Sequence, residues 1–212
     1  MSLVPPNTDP RFAVIGAELT SFADRLSDPP PFEGESPQAA VALVLRATSD
    51  LHVLLIKRAR SERDPWSGQM ALPGGRRDAA DSTLLATAMR EALEEVGLDL
   101  DRGAHQLGGL SIVAPRSPRL SSLSITPFVF GVGADAHAYV ASHEVADVVW
   151  VALDELRSPE THSTVRIPFG GETREFACYR VAGEVVWGLT YGILAQFLEI
   201  YAEVNLPPPT PR

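Results

Sequence analysis

Residues 71–98 read ALPGGRRDAADSTLLATAMREALEEVGL, and how this stretch folds decides the rest of the chain. A glycine pair is followed by a polar segment and then by a run with helical periodicity. The spacing predicts a helix over 81–97, with Asp81 or Ser82 capping its start and Gly97 ending it. At about 100° per residue, Leu85, Ala88, Met89, Ala92, Leu93 and Val96 share one side and are expected to pack on a sheet. Glu91, Glu94 and Glu95 fall together on the other side, with Leu84 near them. Like charges at this spacing repel by about 0.2–0.5 kcal/mol per pair. They also stand near the C-terminal end of the helix, where the dipole favours cations. A solvated charged face ordinarily mixes signs. Three acids without that mixing need an offsetting gain, which a divalent cation with oxygen ligands supplies. Glu91 and Glu95, one turn apart, can point at one ion, and Glu94 can support a second ion or the hydration shell. Pro73-Gly74-Gly75 alone is an ordinary turn. Placed before the acid cluster, it becomes a loop able to bring a phosphate to that ion.

Outward from this stretch the chain alternates β-like runs. QAAVALVLRA (38–47) and LHVLLIKRA (51–59) flank the turn residues TSDL. Further runs are expected at 107–113, 123–132, 144–153, 163–169 and 174–181. Residues 183–204 start as a short strand and continue as an amphipathic helix from about Trp187. Upstream, 11–27 has helical spacing and is followed by a Pro-rich segment, DPPPFEGESP. The organisation expected is an N-terminal helix and linker (1–37), one main domain (38–204) and a tail (205–212). Mixed strands with two main helices imply an α/β (α+β) sandwich.

The 212 residues carry a net charge of −9, a poor basis for non-specific nucleic-acid binding. No run of about 18 apolar residues is present, so no membrane span is expected. Cys178 is the one cysteine, which excludes an intrachain disulfide and fits a reducing cytoplasm. Three further motifs are decoys. GVGADA (131–136) follows a strand but precedes no helix, so it reads as a turn. HEVAD (143–147) lacks the second histidine of a zinc motif. Trp150 and Trp187 read as core residues rather than base-stacking platforms, and Cys178 as buried and inert.

The stretch resembles the signature of the Nudix hydrolases, G-x5-E-x7-R-E-U-x-E-E-x-G-U, where U is a bulky aliphatic residue. Arg90-Glu91-Ala92-Leu93-Glu94-Glu95-Val96-Gly97-Leu98 matches its second half, with Ala92 smaller than usual. The first half departs from it: Asp81 stands for glutamate, and the spacer to Arg90 has eight residues. Both departures resemble the coenzyme A diphosphatases of the family. Those enzymes also carry an upstream motif, L-L-x-x-R-[SA]-x3-R-x3-G-x3-[FL]-P-G-G. LLIKRARSERDPWSGQMALPGG (54–75) matches it at Leu54, Leu55, Arg58, Ala59, Arg63, Gly68, Leu72, Pro73, Gly74 and Gly75. The likeness spans about 38–200.

The resemblance implies an α/β/α sandwich around a mixed sheet, with the signature as loop–helix–loop. It also implies Mg2+- or Mn2+-dependent cleavage of coenzyme A or its thioesters. Glu91 and Glu95 would be primary metal ligands, Glu94 a further ligand, and Arg90 would orient a glutamate. The base is either Glu91 or Glu144. Arg58 and Arg63, within the upstream motif, are the better phosphate-binding candidates beside Gly74 and Gly75. Arg60, Arg76 and Arg77 read as solvated surface. Two other readings stay open: a Nudix diphosphatase acting on ADP-ribose, nucleotide sugars or nucleoside triphosphates, and a non-catalytic ligand sensor. Many relatives are homodimers, so a homodimer is expected by analogy.

Overall fold

A computed structural model describes residues 9–25, 37–62, 66–115, 122–169 and 171–208. The Pro-rich segment, apart from Pro37, and the last four residues of the tail lie outside these. So do Arg63 and residues 26 and 27 of the expected first helix.

Two central strands organise the molecule. β1 (Gln38–Ala47) and β2 (Leu51–Arg58) form a hairpin. Both are rich in Leu and Val and buried on both faces, as strands between two layers must be. Along β1, Leu43 and Leu45 face one layer while Ala40, Ala42 and Val44 face the other. β3 (Met70–Ala71) pairs with β2, and β4 (Gly74–Arg76) pairs antiparallel with β1. β5 (Ala104–Gly109) pairs antiparallel with β6 (Ser124–Val132), which runs parallel to β1. β7 (Val145–Ala152) covers the other edge of β2. The result is a seven-stranded mixed sheet. A second, three-stranded sheet holds β8 (His162–Phe169), β9 (Glu172–Val181) and β10 (Glu184–Trp187).

Helices cover both faces of the main sheet. On one, α2 (Leu84–Val96) lays Ala88, Ala92 and Val96 on Ala40, Ala42 and Val44. Small residues on both sides allow helix and sheet to approach closely. On the other face, α1 (Pro10–Arg25) and α4 (Gly188–Ala202) pack with Tyr179, Val181 and Val186 of the second sheet. Phe12, Ile15 and Leu19 of α1 are buried, and Arg11 ties the start of α1 to Asp9 and to the carbonyls of Thr48 and Ser49. A short α3 (Leu153–Arg157) links the sheets. This is the expected α/β sandwich around a mixed sheet. Among the described residues no helix is long and apolar enough to cross a membrane.

Several local expectations are corrected. The signature helix starts at Leu84, not 81, because the hydroxyl of Thr83 rather than Asp81 or Ser82 accepts from Ala86 N (3.0 Å). Gly97 ends it as expected, in the left-handed conformation at φ +69°. Leu93 does not pack on the sheet and is 50% exposed, whereas Leu84 packs against the core. The strand expected at 107–113 is β5, ending at Gly109, with only an isolated bridge at Val113. β3, β4 and α3 were not expected: each is too short for a periodicity to register.

Candidate active site

The acids of α2 are not equivalent, because the helix presents them at different depths. Glu94 is exposed, Glu91 is half-buried and Glu95 is only 4% exposed. The turn before the helix explains this. Pro73 O accepts from Ala42 N (2.8 Å), which seats the glycine pair against β1. Gly74 N then donates to Glu95 Oε2 (3.0 Å). Gly75 lies over Glu91; a β-carbon there would fall 2.6 Å from the Glu91 carboxyl carbon. Gly74 and Gly75 are therefore part of a strand: Gly75 leaves room for the Glu91 carboxylate, and Gly74 for the close approach of β1 at Ala40 and Val41.

Arg90 joins the remaining acids. Its Nε and Nη2 both donate to the carboxylate of Asp81 (3.1 Å each), and Nη2 also reaches Arg76 O (3.1 Å). Nη1 contacts Glu91 Oε1 (2.9 Å) and Glu94 Oε2 (3.0 Å). Asp81 is buried and accepts further from Asp78 N and the Thr87 hydroxyl (2.9 Å each). These bonds, above all those from Arg90, hold its carboxyl at about 2. Asp81 thus anchors the arginine, a role its side chain in the sequence did not reveal. Thr87, buried at helical spacing from Thr83, was missed for the same reason.

Burial acts on the other two carboxyls in the opposite sense. Desolvation pushes Glu95 up to about 7, with the charges of Glu91 and Glu144 adding to it and Gly74 N–H and Arg58 opposing. Glu91 is also raised by burial, partly countered by Arg90. Glu144 is exposed at the start of β7, where its carbonyl accepts from Ala59 N (2.7 Å) and Arg58 pairs with Val145. The structure so brings Glu144 and Arg58 into electrostatic reach of Glu95. Arg77 is engaged elsewhere: it donates to the carbonyls of Asp81 and Ser82 and to Gln38, fastening the 77–82 segment to β1. Trp150 packs against the α2-side core under the guanidinium of Arg46, Trp187 sits against Phe176, Cys178 is buried, and 133–136 is a turn.

The donor set suits a hard divalent cation. Glu95 is a buried carboxylate with no paired cation among the described residues, and Glu91 shares a single Arg90 nitrogen with Glu94, so cation binding would supply charge that neither has in full. As placed, no three acidic, histidine or cysteine side chains among the described residues are gathered as a metal site. Arg90 Nη1 holds Glu91 and Glu94, and Gly74 holds Glu95, so Glu91 and Glu95 are the groups best placed to receive an ion.

The model of the NUDIX domain matches residues 36–169. The chain belongs to the Nudix family. The uncharacterized Nudix hydrolase NudL of Yersinia enterocolitica is 31% identical, over 90% of this chain and 95% of its own length. NudL of an Enterobacter species is 30% identical, over 81% of this chain and 84% of its own. An uncharacterized Schizosaccharomyces pombe protein is 34% identical over 77% of the chain, which spans only 48% of that protein. Among solved structures, a MutT/nudix family protein from Enterococcus faecalis superposes with a TM-score of 0.54 at 19% identity, covering 88% of this chain and 69% of that one. RenU, a Nudix hydrolase from M. smegmatis, gives 0.50 at 20% identity, covering 81% and 89%. These likenesses show the fold. The chain is a Nudix hydrolase, and such hydrolases generally use divalent metal ions.

Proposed function

We propose that this Nudix hydrolase cleaves the diphosphate of coenzyme A or its thioesters, giving 4′-phosphopantetheine (or its acyl form) and adenosine 3′,5′-bisphosphate. The observation that carries this reading is the upstream motif at 54–75, continuous with a signature that has Asp81 and the longer spacer. The structure gives that irregularity a use. Asp81 receives Arg90 through two hydrogen bonds, and Thr87 supports it from the first turn of α2.

Glu91 and Glu95 would hold Mg2+ or Mn2+, with Glu94 as a further ligand. When bound, the ion neutralises phosphoryl oxygens and lowers the pKa of water. Arg90 orients Glu91 and Glu94. Arg58, with Arg63 outside the described residues, binds phosphate, and Gly74 and Gly75 admit it close to the acids. Water adds to one phosphorus, the bridging P–O bond breaks, and the water proton passes to a carboxylate. Glu91 or Glu144 takes it; the exposed Glu144 is within electrostatic reach of both Glu91 and Glu95. A cytoplasmic homodimer is the expected setting.

The test is product identification from coenzyme A. Adenosine 3′,5′-bisphosphate should appear only with the divalent metal. Faster turnover of ADP-ribose, a nucleotide sugar or a nucleoside triphosphate would move the substrate to that class. Binding without turnover of any diphosphate would favour a sensor.

A further inference from the structure

The C-terminal end of α2, which carries Glu94 and Glu95, is closed from outside the helix. Gly97 N and Leu98 N turn back to Leu93 O and Ala92 O. The last carbonyls of a helix have no partner within it and must find one elsewhere. Val96 O accepts from Tyr139 N (3.1 Å) and Glu95 O from Ala141 N (3.0 Å). Both donors belong to residues 133–144, the connection from β6 to β7. N–H groups at alternate positions that point the same way are those of an extended segment, here lying across the helix end.

The Tyr139 ring holds this segment down. It lies on Gly97, where an added β-carbon would fall 2.4 Å from Cε1, 2.5 Å from Cζ and 2.7 Å from Oη. The left-handed cap therefore ends the helix and also leaves a seat for the ring. Tyr139 is nevertheless 54% exposed and belongs to neither main core. Its contact fixes the segment without building the interior.

The segment leads directly to Glu144. Ser142 O accepts from Val145 N and Ser142 Oγ from Glu144 N (3.2 Å each), a turn with Glu144 at its third position. Glu144 O accepts from Ala59 N (2.7 Å) at the end of β2. β7 then carries a bulge: Val145 pairs with Arg58 and Asp147 with Lys57, which leaves Ala146 extra. Bulges beside active sites re-aim neighbouring side chains. The chain from Ala141 to Glu144 spans at most about 11 Å. Glu144 is thus referred on one side to the carbonyl of Glu95 and on the other to β2. Its side chain is exposed, and its charge adds to the burial that raises Glu91 and Glu95. A carboxylate on a connecting loop needs such anchors to keep a fixed place at a site built on a helix.

We infer that Tyr139 is a positioning residue: its contact with Gly97 seats the 139–141 segment on α2 and sets Glu144 in place to take the proton of the attacking water. The water oxygen adds to phosphorus as that proton passes to the Glu144 carboxylate, whose exposure lets it return the proton to solvent. The inference rests on the proposed hydrolysis, with Glu144 rather than Glu91 as base. It does not depend on which diphosphate is cleaved.

The experiment measures kcat and KM with Mg2+ for the wild type, Tyr139→Ala, Tyr139→Phe, Glu144→Gln and the double variant Tyr139→Ala/Glu144→Gln. The substrate is coenzyme A, or ADP-ribose if the wild type cleaves that instead. A general base contributes about 100-fold or more, so Glu144→Gln should lose at least that in kcat. Misplacement by about 1 Å costs up to about 100-fold, so Tyr139→Ala should lower kcat about tenfold or more and leave KM within about threefold. Tyr139→Phe keeps the ring and should retain most of the wild-type kcat. The double variant should be no slower than Glu144→Gln, because a base already absent cannot be displaced. Hydrogen exchange in the metal-free proteins reads the clamp without turnover. The amides of Tyr139 and Ala141 should be protected in the wild type and Tyr139→Phe, and should exchange several-fold faster in Tyr139→Ala. Both side chains are exposed, so every variant should melt with the wild type. An unchanged kcat in Tyr139→Ala or Glu144→Gln, losses that multiply in the double variant, or unchanged exchange at 139 and 141 would overturn the inference. A wild type that cleaves ADP-ribose and not coenzyme A would sink the substrate proposal alone, and the series on ADP-ribose would decide this one. A wild type that cleaves neither would overturn both.

Discussion

Adjacent glycines in one short strand should fail in opposite ways when each is replaced by alanine. At Gly75 the added carbon would sit 2.6 Å from the Glu91 carboxyl carbon and 2.9 Å from Oε2. Ordinary carbon contacts begin near about 3.5 Å, so the carboxylate must retreat by about 0.9 Å. It is the end of a side chain and can move, but only by leaving Arg90 Nη1. A displacement of about 1 Å at a reacting centre costs on the order of 100-fold in rate. The backbone needs no change, and alanine in a strand is favoured over glycine by about 0.5–1 kcal/mol. Gly75→Ala should therefore melt within a few degrees of the wild type and lose about 99% of its metal-dependent turnover. At Gly74 the added carbon would meet the backbone of β1 at Ala40 O and Val41 Cα, and φ is +157°. A central strand cannot retreat. Strain and overpacking together cost about 2–5 kcal/mol, or roughly 5–15 °C for a chain of this size. Thermal melts by circular dichroism, beside initial rates on the substrate that the wild type cleaves, separate the two. Gly75→Ala retaining more than half of wild-type activity, or Gly74→Ala melting with the wild type, would refute this account of the loop.

Glu95→Gln should cut turnover by orders of magnitude yet stabilise the metal-free protein at pH 8. The folded carboxyl is raised from 4.5 to about 7. Its ionisation therefore costs nothing at low pH, weakens the fold progressively between pH 4.5 and 7, and costs about 3 kcal/mol above that. Melting profiles from pH 4.5 to 8 should slope downward in the wild type and flatten in the variant, and equal slopes would contradict the assignment. Asp81 has the opposite sign: depressed to about 2 from 3.8, it contributes stability above pH 3.8 that is lost as pH falls toward 2. Asp81→Asn should cost about 2–4 kcal/mol at pH 7 by breaking the paired contact with Arg90, and a chemical denaturation midpoint matching wild type would argue against it. Thr83→Ala should cost about 1 kcal/mol through loss of the helix cap, read in the same denaturation series, whereas Ser82→Ala should change nothing.

The sequence exposed what is periodic and what is long. β1 was legible to the residue, and β6 to within one, because continuous apolar runs between turn signals admit few other readings. The helix C-terminus was legible because only glycine takes the left-handed position readily. Depth was not legible. By angle alone Glu95 belonged with Glu91 and Glu94 on an outer face. The helix, however, lies under a strand that its own upstream loop contributes, and β4, three residues long, has no period to detect. The same strand explains Asp81. As a cap candidate it competed with Ser82 on residue type; its actual partner, Arg90, is nine residues away and is brought to it by the 77–82 segment that Arg77 pins to β1. Short-range propensity cannot see a contact that a tertiary clamp creates.

This arrangement also explains why the acids can be so costly and still persist. A bare row of glutamates would relieve its repulsion by bending into water. Here Gly74 N–H and the close packing of Ala88 and Ala92 on Ala40 and Ala42 deny Glu95 that escape, and Arg90 is committed to Asp81 through two of its three nitrogens. Only Nη1 is left to share between Glu91 and Glu94. One cation spread over two carboxylates, beside a third that is buried, leaves the cluster short of positive charge by construction. Replacing Asp81 would release the whole guanidinium to the glutamates and relieve that shortage. Asp81→Asn should therefore weaken divalent-metal binding while Glu91, Glu94 and Glu95 all remain in place. Calorimetric titration with Mn2+ reads this directly: a several-fold weaker affinity is expected, and an affinity equal to wild type would show that Arg90 plays no part in keeping the cluster electronegative.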